Sequence, residues 1–487
     1  MDLKNINFGD RVAENEAAKL YEYFVETEQW HSLKNGDIDV VFGSKGSGKS
    51  ALYTLSLKNK DFFESKNIML ISAEKPTGAT IFSDISQTPP TQENEFVYLW
   101  KLYVCQLISN YLKENNHNDG DAKNVYDLLV EVGLLEGSSN LKKMVNSALQ
   151  FAKQFIDIES IEAGASLESG LSGKITFRSP NKEQERDGFI SVDDIISKLA
   201  NYLQSKDIKI WILFDRLDVA FEQSMELEKN ALRALFKTYR DIEEHSNIRF
   251  KIFLRDDVWN RITSDGFREA SHITRTTTIS WTDQNLMNLI ISRAVNNTEI
   301  TDKFKVLKDE ILKQYDKQEE LYYKMFPRQV EIGEKQSDTF NWIKSRVKDG
   351  LNNVAPRELI HFYNESLKNE VKSIGIGNNQ AEEPNILSRQ SIKQASSEVS
   401  KVRTEQTLFA EYNHLKKYIM KLENSKAEHS LTTLSTIWEL DTKSAETIAN
   451  QLAEIGFFEA KAAKLEKIFK IPFLYRPYLS IIQGKAF

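Results

Sequence analysis

Gly43-Ser44-Lys45-Gly46-Ser47-Gly48-Lys49-Ser50 decides the reading of this 487-residue chain. The stretch fits the phosphate-binding pattern G-x-x-x-x-G-K-[ST] at every position. A chance match in a chain of this length is on the order of one in fifty from average residue usage. The flanks also agree with the motif. Ile38-Asp39-Val40-Val41-Phe42 reads as a short buried strand running into the loop, and Ala51-Leu52-Tyr53-Thr54-Leu55-Ser56-Leu57 as the opening of a helix. Gly43, Gly46 and Gly48 allow the backbone conformations that point successive N–H groups of Ser44, Lys45, Ser47 and their neighbours through Ala51 at phosphate oxygens. The N-terminus of the helix adds partial positive charge. Lys49 is expected to reach the β- and γ-phosphates and the Ser50 hydroxyl to hold Mg²⁺. The expected ligands are therefore a nucleoside triphosphate, read as ATP, and Mg²⁺.

Composition sets outer bounds. The chain is long enough for two to four domains. Its 40% hydrophobic and 28% charged content is that of an ordinary globular protein. A formal net charge of −7 argues against a broadly basic nucleic-acid coat. The single cysteine, Cys105, excludes an internal disulfide, makes a cysteine-based zinc site a poor reading, and reads as a small buried residue. Met1-Asp2-Leu3-Lys4 does not begin a signal peptide and no apolar run reaches membrane-spanning length, so a cytoplasmic protein without a membrane partner is expected.

Strand patterns recur along the chain at 68–71, 208–214, 249–254 and 273–279, with helical patterns at 11–34, 191–205 and 226–245. Such alternation predicts a three-layer α/β fold built on a parallel sheet. An insertion over 85–195 begins with a helix at 94–113 whose aromatic stripe (Phe96, Trp100, Tyr103, Tyr111) reads most simply as core packing, with partner binding as the alternative. Its end, 165–177, alternates like a β-hairpin. The segmentation is a helical segment at 1–36, a P-loop core at 37–280, a helical lid at 281–374, a linker and helix at 375–404, and a compact terminal module at 405–487.

The strand at 208–214 delivers Asp215 to its C-terminal end, followed by Arg216-Leu217-Asp218. In a P-loop sheet that end faces the phosphates, so Asp215 is the expected second Mg²⁺ ligand. Asp218 is a candidate for orienting the attacking water and Glu222 a weaker one; Asp218 serves equally as a helix cap. The strand ending at Leu254 delivers Arg255, either a γ-phosphate contact or a strand-end arginine in surface pairing. Arg261, Arg268 and Arg275 are candidates for a finger reaching a neighbouring subunit's nucleotide.

In this order, the P-loop, Asp215-Arg216-Leu217-Asp218, Arg255, the helix start at Thr282 or Asp283 and the Asn353-Val354-Ala355-Pro356-Arg357-Glu358 segment resemble the AAA+/STAND group of P-loop ATPases, close to the KAP-like bacterial branch. The resemblance covers 37–370. It implies a five-stranded sheet with a helical lid, Arg357 as a lid sensor directed at the nucleotide, ATP as ligand and homo-oligomeric assembly. The AAA+ pattern has a glutamate where Arg216 stands, which places hydrolysis in question while leaving binding intact; a slow or regulated ATPase is expected.

The helix order of 405–487 resembles a winged-helix fold. The helix at 444–455 carries two acids and no base over Ser444–Glu454, a poor match to DNA phosphates, so a protein-contacting or autoinhibitory module is favoured over a DNA-binding one. The resemblance implies an ATP-driven switch controlling a separate effector protein, in a setting such as bacterial anti-phage defence. A DNA-processing initiator-type ATPase or loader, and a non-hydrolysing nucleotide-gated scaffold, are the alternatives.

Overall fold

The computed structural model describes residues 1–11, 15–16, 20–73, 93–135, 144, 147–148, 150–151, 175–176, 179–217, 225–378, 381–462 and 467–487. The chain divides into two compact units, Glu28–Gly43 with Leu52–Thr278, and Met1–Thr27 with Ser44–Ala51 and Ile279–Phe487. In this division the helix Glu28–Asn35 goes with the sheet, and the glycine turn Ser44–Ala51 groups with the helical unit.

The first unit is organised by a parallel sheet. Its strands in chain order are β1 (Val40–Gly43), β2 (Ile68–Ser72), β5 (Lys209–Phe214), β6 (Ile248–Arg255) and β7 (Thr276–Thr278), with β3 (Ile175–Thr176) and β4 (Ile190–Ser191) forming a separate parallel pair. The spatial order is β2-β5-β6-β1-β7. Counted along the chain within this sheet, the order is fifth, first, fourth, third, second. An additional strand, β6, therefore lies between the P-loop strand and the strand that delivers Asp215. This is an AAA+-like sheet order. β1 and β5 are buried along almost their whole length, as their unbroken apolar runs require.

The helix Glu93–Glu114 supplies much of the core. Phe96, Leu99, Trp100, Tyr103 and Leu107 are buried with Phe214, Phe250 and Tyr239. The polar ends of its rings are satisfied: Trp100 Nε1 donates to the Ala231 carbonyl at 2.8 Å and the Tyr103 hydroxyl to the Ala73 carbonyl at 2.8 Å. The aromatic stripe is thus covered by the protein's own core, and Cys105 lies buried within it. Of the hairpin expected at 165–177, only Ile175–Thr176 lies within the described residues. It pairs in parallel with β4, which is not how a hairpin arm pairs. The helical pattern at 11–34 resolves, where described, into a 3₁₀ turn at Leu20–Tyr23 and the helix Glu28–Asn35.

The second unit is mainly helical. Asp283–Ala294 starts at Thr282, whose side chain accepts the Asn285 N–H. Helices Tyr315–Met325, Thr339–Val347, Pro356–Gly375 and Arg389–Arg403 follow and share one apolar core. A π-helical turn, Thr404–Phe409, and a 3₁₀ turn, Asn413–Leu415, lead into the terminal module. There a short helix, Lys416–Met420, is followed by β8 (Lys426–Ser430), helices Leu431–Trp438 and Thr442–Glu454, then β9 (Glu459–Lys461), β10 (Ile468–Lys470) and β11 (Ile482–Lys485). β8, β10 and β9 form an antiparallel sheet extended by a parallel β11. Helix, strand, two helices and a two-stranded hairpin make a winged-helix topology. β8 falls between the helical stretches 408–422 and 432–440 of the sequence, where Ala427 and His429 bury alternately against the module core.

A charged cluster sits beneath β1, at the end of the strand opposite Gly43. Asp39, fully buried, accepts from Lys251 Nζ at 2.7 Å, Arg275 Nε at 2.7 Å and the Tyr239 hydroxyl at 3.2 Å. Burial pushes the Lys251 ammonium down to about 8, with Asp39 opposing the shift. Removing Asp39 leaves a buried lysine without its counter-charge. Asp39→Ala is expected to destabilise the sheet unit by about 3–5 kcal/mol, read as a lowered urea midpoint; a loss below about 1 kcal/mol would mean that the cluster behaves like an exposed pair.

Candidate nucleotide site

Gly46 and Gly48 have φ of +81° and +110°, the left-handed region that carries a penalty for any side chain. The turn they form runs from the C-terminal end of β1 into the helix Lys49–Lys58. Lys49 Nζ donates to the Ser44 carbonyl at 3.0 Å, so its ammonium is folded back over the loop. The Ser47 hydroxyl is buried and has no hydrogen-bond partner among the described residues. A left-handed glycine turn with a lysine curled over it and an orphaned Ser47 hydroxyl fits a polyanion cradle, since phosphate oxygens can accept from the turn's N–H groups and from that hydroxyl.

Three elements of the helical unit close on this turn. Trp281, one residue before the cap of Asp283–Ala294, donates its indole N–H to the Ser47 carbonyl at 2.8 Å. Its ring would stand 3.7 Å from a Cβ at Gly48. The start of helix Pro356–Gly375 packs on Gly46, where a Cβ would lie 3.1 Å from Arg357 Cβ and 3.5 Å from Ala355 Cβ. Arg357 Nε donates to the Arg11 carbonyl at 3.2 Å, which ties the N-terminal segment to the same helix start. Lys45 forms an ion pair with Glu411. Arg357 had a sequence signal, namely an arginine after a helix-opening proline. Trp281 and Glu411 had none, because one belongs to the lid entry and the other lies 366 residues from its partner.

Asp215 follows the last residue of β5 and is 4% exposed. Arg216, where a glutamate was sought, adopts φ +53°. Asp218 and Glu222 lie outside the described residues. Gly43 is in register with Arg255 on the adjoining β6, which sets Arg255 beside the point where β1 enters the loop. The Arg255 guanidinium is held in a fork by Asp257, at 2.9 and 2.8 Å. Of the finger candidates, Arg261 pairs with Glu228 at 2.7 Å and Arg268 is exposed at the head of a 3₁₀ turn. Arg275 is bonded to Asp39 at the far end of β1, at 2.7 Å.

Behind Arg357 lies a second charged cluster. Glu358 pairs with Arg403 at 2.9 Å, both nearly buried. Asp349, upstream in the same loop, accepts the N–H groups of Leu351 at 3.0 Å and Asn353 at 2.9 Å. Gly350 N–H donates to the Gly456 carbonyl of the winged-helix module at 2.7 Å. A Cβ on Gly350 would fall 2.2 Å from the Phe458 carbonyl oxygen, so only glycine permits this approach.

No family model matches the sequence. An 80.3 kDa protein assigned to transposon gamma-delta of Escherichia coli (strain K12) is 24% identical over 272 residues, 54% of this chain and 35% of that protein. The chain thus spans about a third of the length of the curated relative it matches. Aeropyrum pernix ORC2 in its ADPNP–ADP complexes aligns over 97% of this chain and 94% of its own, at 12% identity and TM-score 0.39. Aeropyrum pernix ORC1 in complex with DNA aligns over 96% and 95%, at 10% identity and TM-score 0.37. The fold assignment rests on the strand order and module topology described above. Among the described residues, no helix is long and apolar enough to cross a membrane.

Burial pushes the Asp349 carboxyl up to about 6, against the pull of its backbone N–H donors and Arg403. Because its folded value lies above that of an unfolded aspartate, its contribution to stability is fully present below about pH 4 and is lost as pH rises through about 6. The difference in urea stability between wild type and Asp349→Asn is therefore expected to change by roughly 2 kcal/mol between pH 4 and 6, with the wild type weakening as pH rises. A flat difference curve would show that this carboxyl titrates normally.

Proposed function

We propose that the chain is an ATP-binding, slowly hydrolysing AAA+-type switch working in a DNA transaction of the initiator or loader type. The observation that carries the ATP part is the turn at Gly46 and Gly48, closed over by Trp281 and Arg357 from the lid. The segment Gly43, Ser44, Lys45, Gly46, Ser47, Gly48, Lys49, Ser50 and Ala51 would hold the phosphates. Arg357 sits on the loop, and Arg255 ends the strand next to β1. Ser50 and Asp215 would hold Mg²⁺, which when bound would neutralise charge on the phosphates. Arg216 in the glutamate position supports slow turnover, since a cation there cannot take a proton from water. Asp218 is the remaining candidate for that task.

The DNA part is supported by the transposon assignment of the relative and by the hairpin of the winged-helix module. Residues 459–470 hold four lysines against two glutamates in sequence, and Lys461 and Lys467 are exposed. A second reading is supported by the helix Thr442–Glu454, which exposes Glu446, Thr447 and Glu454 and has a single base, Lys443, near its start. On that reading the module contacts a separate effector protein, DNA has no part, and a defence role is the natural setting. Homo-oligomeric assembly belongs to both readings.

Isothermal titration with ATP and Mg²⁺ tests the nucleotide assignment. Lys49→Ala is expected to weaken ATP binding by about a hundredfold or more, and Asp215→Asn to retain ATP while losing Mg²⁺-dependent turnover. Wild-type affinity in Lys49→Ala would overturn the assignment. DNA binding measured at two salt concentrations separates the two readings. Duplex affinity that falls steeply with salt, and falls again on replacing Lys461 and Lys467 with glutamate, supports the DNA role. Unchanged assembly and turnover with and without DNA supports the protein-directed one.

A further inference from the structure

We propose that the Lys45–Glu411 ion pair is a nucleotide-displaced latch, fastening the phosphate-binding turn to the root of the winged-helix module until a triphosphate arrives. The inference rests on the ATP-binding reading of the same loop and adds a regulatory partner to it.

Lys45 occupies a motif position whose residue type the phosphate cradle does not dictate. Its ammonium is nonetheless engaged by a carboxylate brought from the other end of the chain. The two side chains are 31% and 18% exposed, so the pair is partly shielded from water and holds more firmly than a fully exposed one.

Glu411 lies between the π-helical turn Thr404–Phe409 and the 3₁₀ turn Asn413–Leu415, the passage from the last long helix into the module. π-turns recur at functional positions because they displace the chain from regular helix geometry. This one is fixed to the module. Phe409 packs edge-on against Tyr478 with centroids 6.0 Å apart, and the Tyr478 hydroxyl donates to Glu405 at 3.1 Å. On its other side, Gln406 accepts from Arg11 Nη2 at 2.9 Å, within the N-terminal segment that also receives Arg357. A pull on Glu411 is therefore a pull on the module's root.

A polyanion collected by the loop amides and Lys49 changes the field at this pair. Lys45 gains a more highly charged partner on its own loop, while Glu411 meets charge of its own sign. Displacement follows from the first effect, and repulsion of the module's root from the second. By linkage, the pair opposes ATP binding by the same factor with which ATP opposes the pair.

The test uses the full chain in four forms: wild type, Glu411→Gln, Lys45→Gln, and the reversed pair Lys45→Glu with Glu411→Lys. ATP affinity is measured by calorimetry with Mg²⁺, and hydrogen exchange is followed over 404–420 with and without ATP. Glu411→Gln is expected to bind ATP about threefold to tenfold more tightly. Its nucleotide-free exchange should match that of the ATP-bound wild type. Lys45→Gln should show the same raised exchange without the gain in affinity, and the reversed pair should restore nucleotide-free protection. A wild type that binds ATP while Glu411→Gln matches it in affinity and exchange overturns the latch alone. A wild type that binds no ATP overturns the nucleotide reading and the latch together.

Discussion

The absence of a side chain at Gly46 is the constraint on which the helical half of this protein is built. Its backbone is left-handed, and its missing Cβ lets Ala355 and Arg357 pack directly against the loop. A Cβ there would lie 3.1 Å from Arg357 Cβ, and the helix start, which also holds the Arg11 carbonyl, would have to give way. The same residue thus meets a backbone demand and a packing demand at one position. Trp281 repeats the arrangement two residues further along the loop, covering Gly48 while its indole N–H donates to the Ser47 carbonyl.

At the sheet, chemistry and stability are separated by direction. The C-terminal ends of β1, β5 and β6 carry Gly43, Asp215 and Arg255, whereas the opposite end of β1 carries the buried Asp39 with Lys251 and Arg275. At the first end the Arg255 guanidinium is held by Asp257. At the second the buried Asp39 carboxylate is matched by two cations. Arg275 precedes β7, and the parallel register of β7 on β1 sets it beside Asp39.

What the sequence made legible follows from how local each signal is. The P-loop, the strands at Val40, Ile68, Lys209 and Ile248, and the helix at Glu93 were readable because period, apolar run and turn residues lie within a dozen positions of one another. The Thr282 cap was readable for the same reason. β8 was not, since only packing against β10 distinguishes Lys426–Ser430 from the helical run around it. The partners of the loop were still less accessible. No local pattern can say that Lys45 meets Glu411 or that Trp281 meets Ser47, because those pairings exist only once the chain has folded back across hundreds of residues. Asp218, on which the hydrolytic reading turns, lies outside the described residues, so its role rests on the sequence pattern alone.

The backbone-to-backbone seam between Gly350 and Gly456 has a mechanical consequence. Neither contact atom belongs to a flexible side chain, and the loop that bears Gly350 runs within seven residues to Arg357. Such a joint has no side chain to absorb a displacement. A tilt of helix Pro356–Gly375 would bear on the winged-helix module through backbone alone, as a lever bears on its pivot.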